Sequence, residues 1–337
     1  MNTSEEFIEC CYHSILGRSS DPEGKKHFTN MLKLGVPRHE IMQCFLNSEE
    51  YGKYKETLMN PFVIFAPPGH FYSPLPDIHD LEGVYRTAAS KHIQGININE
   101  EKQIDLLKRL SDYYTKLPFG DGIRKNDTRY FFNGNEWYSY GDAIILFCMI
   151  NYIRPQRFIE VGSGYSSTVT LDACEMLGAG TRITLIEPYP NRLLGLLSKK
   201  DNPKELLISK HIQDVDPSLF DELNEGDILF IDSSHVVKFA SDVQFIFTVV
   251  LPRLKPGVIV HFHDIFWPFE YPLEWLKEGC AWNEAYFLRV FLMNNENYEI
   301  LYFNDFMAQT HGELLRKYLP LSTKNAGCSF WMKKLKQ

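Results

Sequence analysis

Apolar positions change their spacing partway along this chain, and the change divides it. Up to about Tyr54 they recur at helical intervals, as in Phe7, Ile8, Cys11, Ile15 and Leu16. A turn follows at Gly17-Arg18-Ser19-Ser20-Asp21-Pro22. Asp21 is placed to cap a helix with Pro22 at its first position, which Gly35 stops after about Leu34. Arg38 to Phe45 reads as a third helix and Ser48 to Tyr51 as a short last one. Residues 1–58 are therefore expected to form a small all-α module. Pro61, Pro67, Pro68, Pro74 and Pro76 then break regular structure. Residues 59–98 read as a linker, whose aromatic run Ala66 to Pro74 serves either as a packed loop or as a lid over a pocket.

Asn99 to Leu117 and Tyr138 to Ile153 keep a helical period, the latter with Ser139 or Asp142 near its start. Beyond them short apolar runs alternate with helices. Strands are expected at Arg157–Val161, Arg182–Ile186, Leu206–His211, Asp227–Ile231 and Val258–Phe262. Helices are expected at Ser167–Leu177, Arg192–Leu197 and Val236–Leu254. Such alternation means βαβ units and a parallel sheet. Ile228-Leu229-Phe230-Ile231 is continuously apolar, as a strand buried on both faces should be. Two long helices up to about Asn295, then strands Tyr298–Phe303 and Cys328–Met332, close the domain. The fold class is α/β: a doubly wound, mostly parallel, Rossmann-like sheet within residues 99–337, preceded by the all-α module.

Composition narrows the partners. A net charge of -8 gives no large basic surface, so nucleic acid is a poor candidate. Seven cysteines without Cys-x-x-Cys spacing argue against a disulfide framework and for a reducing compartment. The first ten residues carry Glu5, Glu6 and Glu9 and do not read as a signal peptide. Ala143 to Ile153 is too short to span a bilayer and contains Asn151. A cytoplasmic protein is expected, with no membrane span; homo-oligomerisation is left open.

The first strand of the sheet ends in Glu160-Val161-Gly162-Ser163-Gly164-Tyr165-Ser166-Ser167. Glycines there permit a tight strand-to-helix turn and close approach of a ligand to backbone. The third glycine of the dinucleotide fingerprint is absent, and Glu160 precedes the first. A carboxylate so placed repels a pyrophosphate but can hold an ammonium group, which S-adenosylmethionine has and NAD lacks. Glu187 ends strand two about 25 residues on, where a carboxylate takes ribose hydroxyls. Asp214, after strand three, is placed for an adenine amine, or as a helix cap. The candidate cofactor site is Glu160, Gly162, Ser163, Gly164, Tyr165, Ser166, Glu187, Pro188, Asp214 and Asp232.

Strand four ends in Asp232-Ser233-Ser234-His235 and strand five in His261-Phe262-His263-Asp264. Ligands of open parallel sheets bind outside the carboxyl ends of the strands. Transfer of a methyl group to an alcohol needs in-line positioning and a base for the hydroxyl proton. His235 is the first choice for that base and His263 the second, with Asp264 beside them. Asp232, His263 and Asp264 could hold a divalent metal ion: magnesium suits the aspartates, and the histidine favours manganese, iron or zinc.

Residues from Ala66 to the C-terminus resemble the class I S-adenosylmethionine-dependent methyltransferases. The resemblance rests on Pro67-Pro68-Gly69-His70-Phe71-Tyr72-Ser73-Pro74, on Phe158 to Ser167, on Ile186-Glu187-Pro188-Tyr189-Pro190, on Leu254-Lys255-Pro256-Gly257-Val258, and on Val260 to Phe266. It implies a bacterial subgroup and a seven-stranded sheet with its last strand antiparallel. Asp232-Ser-Ser-His235 is similar to metal-dependent sugar O-methyltransferases of natural-product pathways, in which the matching aspartate binds metal and the matching histidine is the base. Those enzymes carry paired acids after strand five; His263-Asp264 stands here instead, so the metal stays open. Tyr12 to Tyr51 resembles a helical domain of unknown function that recurs beside bacterial enzymes with glycan connections. The leading expectation is O-methylation of a hydroxylated small molecule, a sugar or glycan precursor of polysaccharide biosynthesis first. A metal-independent N-methyltransferase, an NAD-dependent oxidoreductase and a catalytically silent binding module are the alternatives.

Overall fold

The computed structural model describes residues 4–58, 60–77, 93–121, 128–133, 135–178 and 180–336. The chain divides into two compact units, residues 1–81 and 82–337, a division that falls inside the proline-rich stretch. The rest of that stretch, residues 78–92, lies outside the described residues.

The first unit is helical. Ser4–Cys11 continues through a π turn at Tyr12–Leu16, and Pro22–Lys33, Arg38–Leu46 and Glu49–Leu58 follow. Asp21 caps as expected, its carboxylate accepting the Gly24 N–H at 2.7 Å. Ile8, Tyr12, Ile41 and Phe45 fill the core, and Phe28 stacks on Phe45 at 4.5 Å. Two expectations are corrected. The last helix starts where expected, with Ser48 accepting the Tyr51 N–H at 3.1 Å, but runs well past Tyr51 to Leu58. Pro61–Phe65 is also helical: proline is tolerated in a first turn, and Asn60 caps it. Phe71 and Tyr72 are exposed and stack on His70 and Phe65.

The second unit is built on seven strands: β1 Arg157–Val161, β2 Arg182–Ile186, β3 Leu207–Ile208, β4 Ile228–Ile231, β5 Ile259–Phe262, β6 Tyr298–Phe303 and β7 Phe330–Lys334. Their order is β3-β2-β1-β4-β5-β7-β6, with β7 antiparallel to both neighbours and the first five strands parallel. The chain winds outward from β1 to β3 and then returns to β4. That reversal opens a crevice at the carboxyl ends of β1 and β4, where open α/β sheets take ligands. Residues Phe158 to Val161 pair with β2 on one side and β4 on the other and are buried throughout, so the crevice has a rigid floor.

Departures from the sequence pattern are local. The third strand shrinks to two residues, because the helix Pro203–Leu206 takes its start and Lys210 N–H turns back onto the Ile208 carbonyl. The helix expected from Val236 begins at Asp242, capped by Ser241, and passes through a π turn at Ile246–Val250. Pro252 has no N–H for the regular ladder there. The two helices before β6 are short, Leu273–Lys277 and Glu284–Leu292. The helix Asn304–Tyr318, between β6 and β7, was not anticipated; a break at His311 (φ −131°) splits its periodicity. Among the described residues no helix is long and apolar enough to cross a membrane.

Candidate active site

Gly162 leaves β1 with φ +79°, and a Cβ there would sit 1.7 Å from the Asp232 carbonyl oxygen. The exit of β4 therefore presses on the exit of β1, and only glycine fits between them. Gly164 is different: a side chain there would meet nothing closer than the Arg192 Cδ at 3.5 Å. This glycine leaves backbone open toward the crevice.

Glu160 corrects its expected role. Its side chain is fully buried, and Oε1 accepts the hydroxyls of Ser166 at 2.6 Å and Ser167 at 2.9 Å. It lines none of the cavities described below. The carboxyl fastens the first turn of the helix Tyr165–Leu177 and offers no direct contact to an ammonium group. Burial pushes its pKa up to about 8 against those two hydroxyls, with Asp232 and Glu187 adding to the rise. The folded protein thus prefers the neutral acid, a preference fully expressed below about pH 4.5 and lost as pH rises to about 8. Glu160→Gln, which stays neutral, should melt progressively higher than wild type across that window, by at most about 5 kcal/mol. Parallel melting curves from pH 5 to 8 would refute the assignment.

A cavity of about 400 Å³ spans the ends of β2, β1 and β4. Glu187 and Pro188 line it. The Glu187 carboxylate accepts the N–H groups of Ser163 at 3.1 Å and Tyr189 at 2.7 Å, which hold it at the edge with lone pairs to spare. Asp214 is exposed and does not line the cavity; His211, Ile212 and Gln213 of the same turn do. The 3₁₀ turn Ile212–Asp214 rotates the aspartate outward. Sequence position placed the turn correctly and the residue wrongly.

A second cavity, of about 320 Å³, continues from the first across Gly162 to Ser166 and Asp232 to His235. The buried hydroxyls of Ser163 and Ser233 on its wall have no hydrogen-bond partner among the described residues. Unpaired buried hydroxyls are costly and suit a polar ligand that completes them. Arg192 also lines this cavity, its guanidinium 4.6 Å over the Trp137 ring.

At the far end stand Asp232, His235, His263 and Asp264, brought together as expected. His235 Nε2 lies 3.3 Å from Asp264 Oδ2 and 3.5 Å from Asp232 Oδ1. His263 Nδ1 lies 3.4 Å from Asp232 Oδ1 and 3.5 Å from Asp264 Oδ1. Two acids that sequence reasoning missed complete the cluster. Glu284 takes the other ring nitrogen of His235, Nδ1 to Oε2 at 2.9 Å. Its N–H and that of Asn283 both donate to the His235 carbonyl, which zips the exit of β4 to the helix Glu284–Leu292. Asp142 faces His263 Nε2 at 3.3 Å. Its Oδ1 accepts the Cys328 and Ser329 N–H groups and the Ser329 hydroxyl, tying the helix Tyr140–Ile153 to the start of β7.

Charges here are strongly coupled. Burial opposes the His235 cation, but Asp232, Glu284 and Asp264 outweigh it and lift the imidazole to about 10. Burial likewise opposes His263, and Asp264, Asp232 and Asp142 leave it well above its ordinary value. Burial raises Asp232, yet the two histidines hold it below the usual carboxylate range. Asp232, His235 and Asp264 each offer a ligand atom within 4.8 Å of the others. His263, to which the sequence pointed, reaches the same two carboxylates through Nδ1 while its Nε2 faces Asp142, and with Asp142 and Cys328 it forms a second such group. The two carboxylates converging between the imidazoles fit a divalent cation.

Residues 159–265 match the family model of a methyltransferase domain, and residues 2–54 that of a domain of unknown function, DUF4214. An uncharacterized protein of Archaeoglobus fulgidus is 33% identical over 167 residues, which are 48% of this chain and 74% of that one. Among solved structures, SAH-bound Podospora anserina methyltransferase PaMTH1 is 15% identical, covering 77% of this chain and 97% of its own, with a TM-score of 0.40. An apo-structure of CmcI is 15% identical over 67% and 84% (TM-score 0.40). The plantazolicin methyltransferase BpumL, with SAH and a triazolic desmethylPZN analog, is 12% identical over 71% and 100% (TM-score 0.39). With its Glu-Val-Gly-Ser-Gly turn at the crevice, a sheet of order β3-β2-β1-β4-β5-β7-β6 and the methyltransferase match across β1 to β5, the chain belongs to the class I S-adenosylmethionine-dependent methyltransferases.

Proposed function

We propose that this methyltransferase acts on a hydroxyl oxygen of a small molecule, with His235 as the base and a divalent cation on Asp232 and Asp264. One observation carries the reading. The donor crevice, which Asp232 and His235 line, meets at His263 and Asp264 a third cavity of about 780 Å³ that is large enough for a small-molecule acceptor. His263 and Asp264 line both cavities, so the cluster stands where donor and acceptor meet.

The donor supplies an electrophilic methyl group on a sulfonium, and the protein's own part is to aim and to remove a proton. Glu187 is set to take the ribose hydroxyls, and Arg192 faces the same cavity with a charge suited to the donor's carboxylate. A cation on Asp232 and Asp264 would lower the pKa of an acceptor hydroxyl. It would also balance the carboxylates that otherwise hold His235 as an imidazolium, which cannot accept a proton. Glu284 engages Nδ1–H, so the free lone pair of a neutral His235 is on Nε2, facing the cluster.

A sugar or glycan precursor is the leading acceptor class, in keeping with the ring-sized cavity. A screen of sugars and phenols tests the reading, with S-adenosylhomocysteine release and product mass as readouts. Transfer should stop on chelation and return with magnesium or manganese. Full activity after chelation would remove the cation, and methyl groups found only on nitrogen would overturn oxygen as the acceptor.

A further inference from the structure

The third cavity is walled by rings. Phe266 and Trp275 meet edge to face with centroids 5.1 Å apart, and Trp275 meets Trp282 in the same way at 5.2 Å. Trp282 lies in turn 4.5 Å from the His235 ring. Rings packed edge to face stand at steep angles to one another along one wall, as the rings of an aromatic cage do. Trp137 separates this cavity from the donor crevice and already carries the Arg192 guanidinium over its ring.

Charge on the same walls is mostly negative, and the one cationic side chain there, His263, is already faced by Asp264, Asp232 and Asp142. Glu136, Glu278, Asp264 and Asp305 line the cavity, and no lysine or arginine does among the described residues. A cation on Asp232 and Asp264 would balance those two. Asp305 is engaged by the Trp267 N–H at 2.7 Å and the Gln309 amide at 2.9 Å. Glu136 and Glu278 are left at an exposed rim, and among the described residues no lysine or arginine on the cavity wall opposes them. A phosphate or carboxylate entering past that rim would meet like charge, whereas an ammonium would meet two carboxylates and the tryptophan rings.

We propose that the acceptor carries a protonated amine beside the hydroxyl that is methylated, an amino sugar or hydroxylated aromatic amine, and that phosphorylated or nucleotide-linked acceptors are refused. This rests on the oxygen-methylation reading for the site but is tested apart from it. Two matched series serve as probes: glucosamine, N-acetylglucosamine and glucosamine phosphate; dopamine, catechol and dihydroxybenzoate. Each is titrated into the full chain holding S-adenosylhomocysteine and magnesium, with tryptophan fluorescence and heat as readouts, and then assayed for methylation with the product sites located by mass spectrometry. The amine member of at least one series should bind about tenfold or more tightly than its neutral partner, and the anionic member most weakly. In a Glu136→Gln, Glu278→Gln double variant that preference should shrink to about threefold or less, with the affinity for S-adenosylhomocysteine reporting that the fold is intact. Neutral or anionic members binding as well as the amines, no amine binding at all, or a preference that survives the double variant would overturn the proposal. Amines that bind in the expected order but are methylated on nitrogen would overturn the hydroxyl as the methylated group, and with it the oxygen reading, while the cavity's selection of an amine would stand.

Discussion

Replacing His235 with glutamine is expected to slow methyl transfer by about 10²–10⁴-fold, the usual contribution of a positioned base, while divalent-cation binding persists. The ring has a defined environment on both sides. Glu284 fixes Nδ1 at 2.9 Å, and Nε2 faces Asp232 and Asp264 across 3.5 and 3.3 Å. Glutamine keeps a polar group of similar reach but cannot take a proton near neutral pH. Glu284→Gln, which keeps the ring but weakens its orientation, should cost less, about 10–100-fold, as expected for a partner that steers a functional histidine. Single-turnover rates with bound donor, together with metal titrations, make the check. A glutamine variant that keeps more than a tenth of the rate rejects His235 as the base. One that loses rate and cation together makes His235 a ligand instead.

Gly162→Ala is expected to unfold the crevice before it impairs any ligand. The added Cβ would meet the Asp232 carbonyl oxygen at 1.7 Å, and φ +79° is itself costly for alanine. Neither side can yield easily. Gly162 N–H is bonded to the Ile186 carbonyl and Asp232 N–H to the Val161 carbonyl, both at 2.9 Å, so the clash lies inside the β2-β1-β4 ladder. Overpacking backbone against backbone here should cost ~2–4 kcal/mol and bring loss of donor binding. Gly164→Ala is the contrasting case, since little but Arg192 stands near it. It should unfold within about 1 kcal/mol of wild type, and any loss of donor affinity would report ligand approach alone. Equal stability losses for the two alanines in denaturant titrations would show that the roles assigned to the glycines are wrong.

The sheet was legible because its parallel strands are built around short apolar runs, wholly so at Ile228 to Ile231, and a buried parallel strand has few other ways to look. Boundaries failed where capping or proline decided them, as at Ser241 and Pro252. The site was legible as far as residues stand at strand exits, which is why Asp232, His235, His263 and Asp264 could be named together. Asp142 and Glu284 reach the cluster from helices distant in sequence, and an acid in a first helical turn reads as a dipole partner. Asp142 did leave a clue: it heads the run Ala143-Ile144-Ile145-Leu146-Phe147, whose burial leaves its charge little access to water. Glu160 was overread because sequence shows adjacency to the turn and hides which way the carboxylate points. Asp214 failed by one residue, since a single 3₁₀ turn decides whether it or Gln213 faces inward.

The reversal of strand order between β1 and β4 also separates two kinds of inheritance. The groups proposed to face the donor hang from the exits of β1, β2 and β4, whose spacing is locked by ladder bonds. The rings and rim acids of the third cavity come from segments flanking that core: 136–139, 264–282, Asp305 and 325–328. A lineage can redraw the acceptor side by drift in those segments without disturbing the methyl donor. The stretch between β5 and the helix at Glu284 is therefore the natural cassette to exchange when a new acceptor is sought.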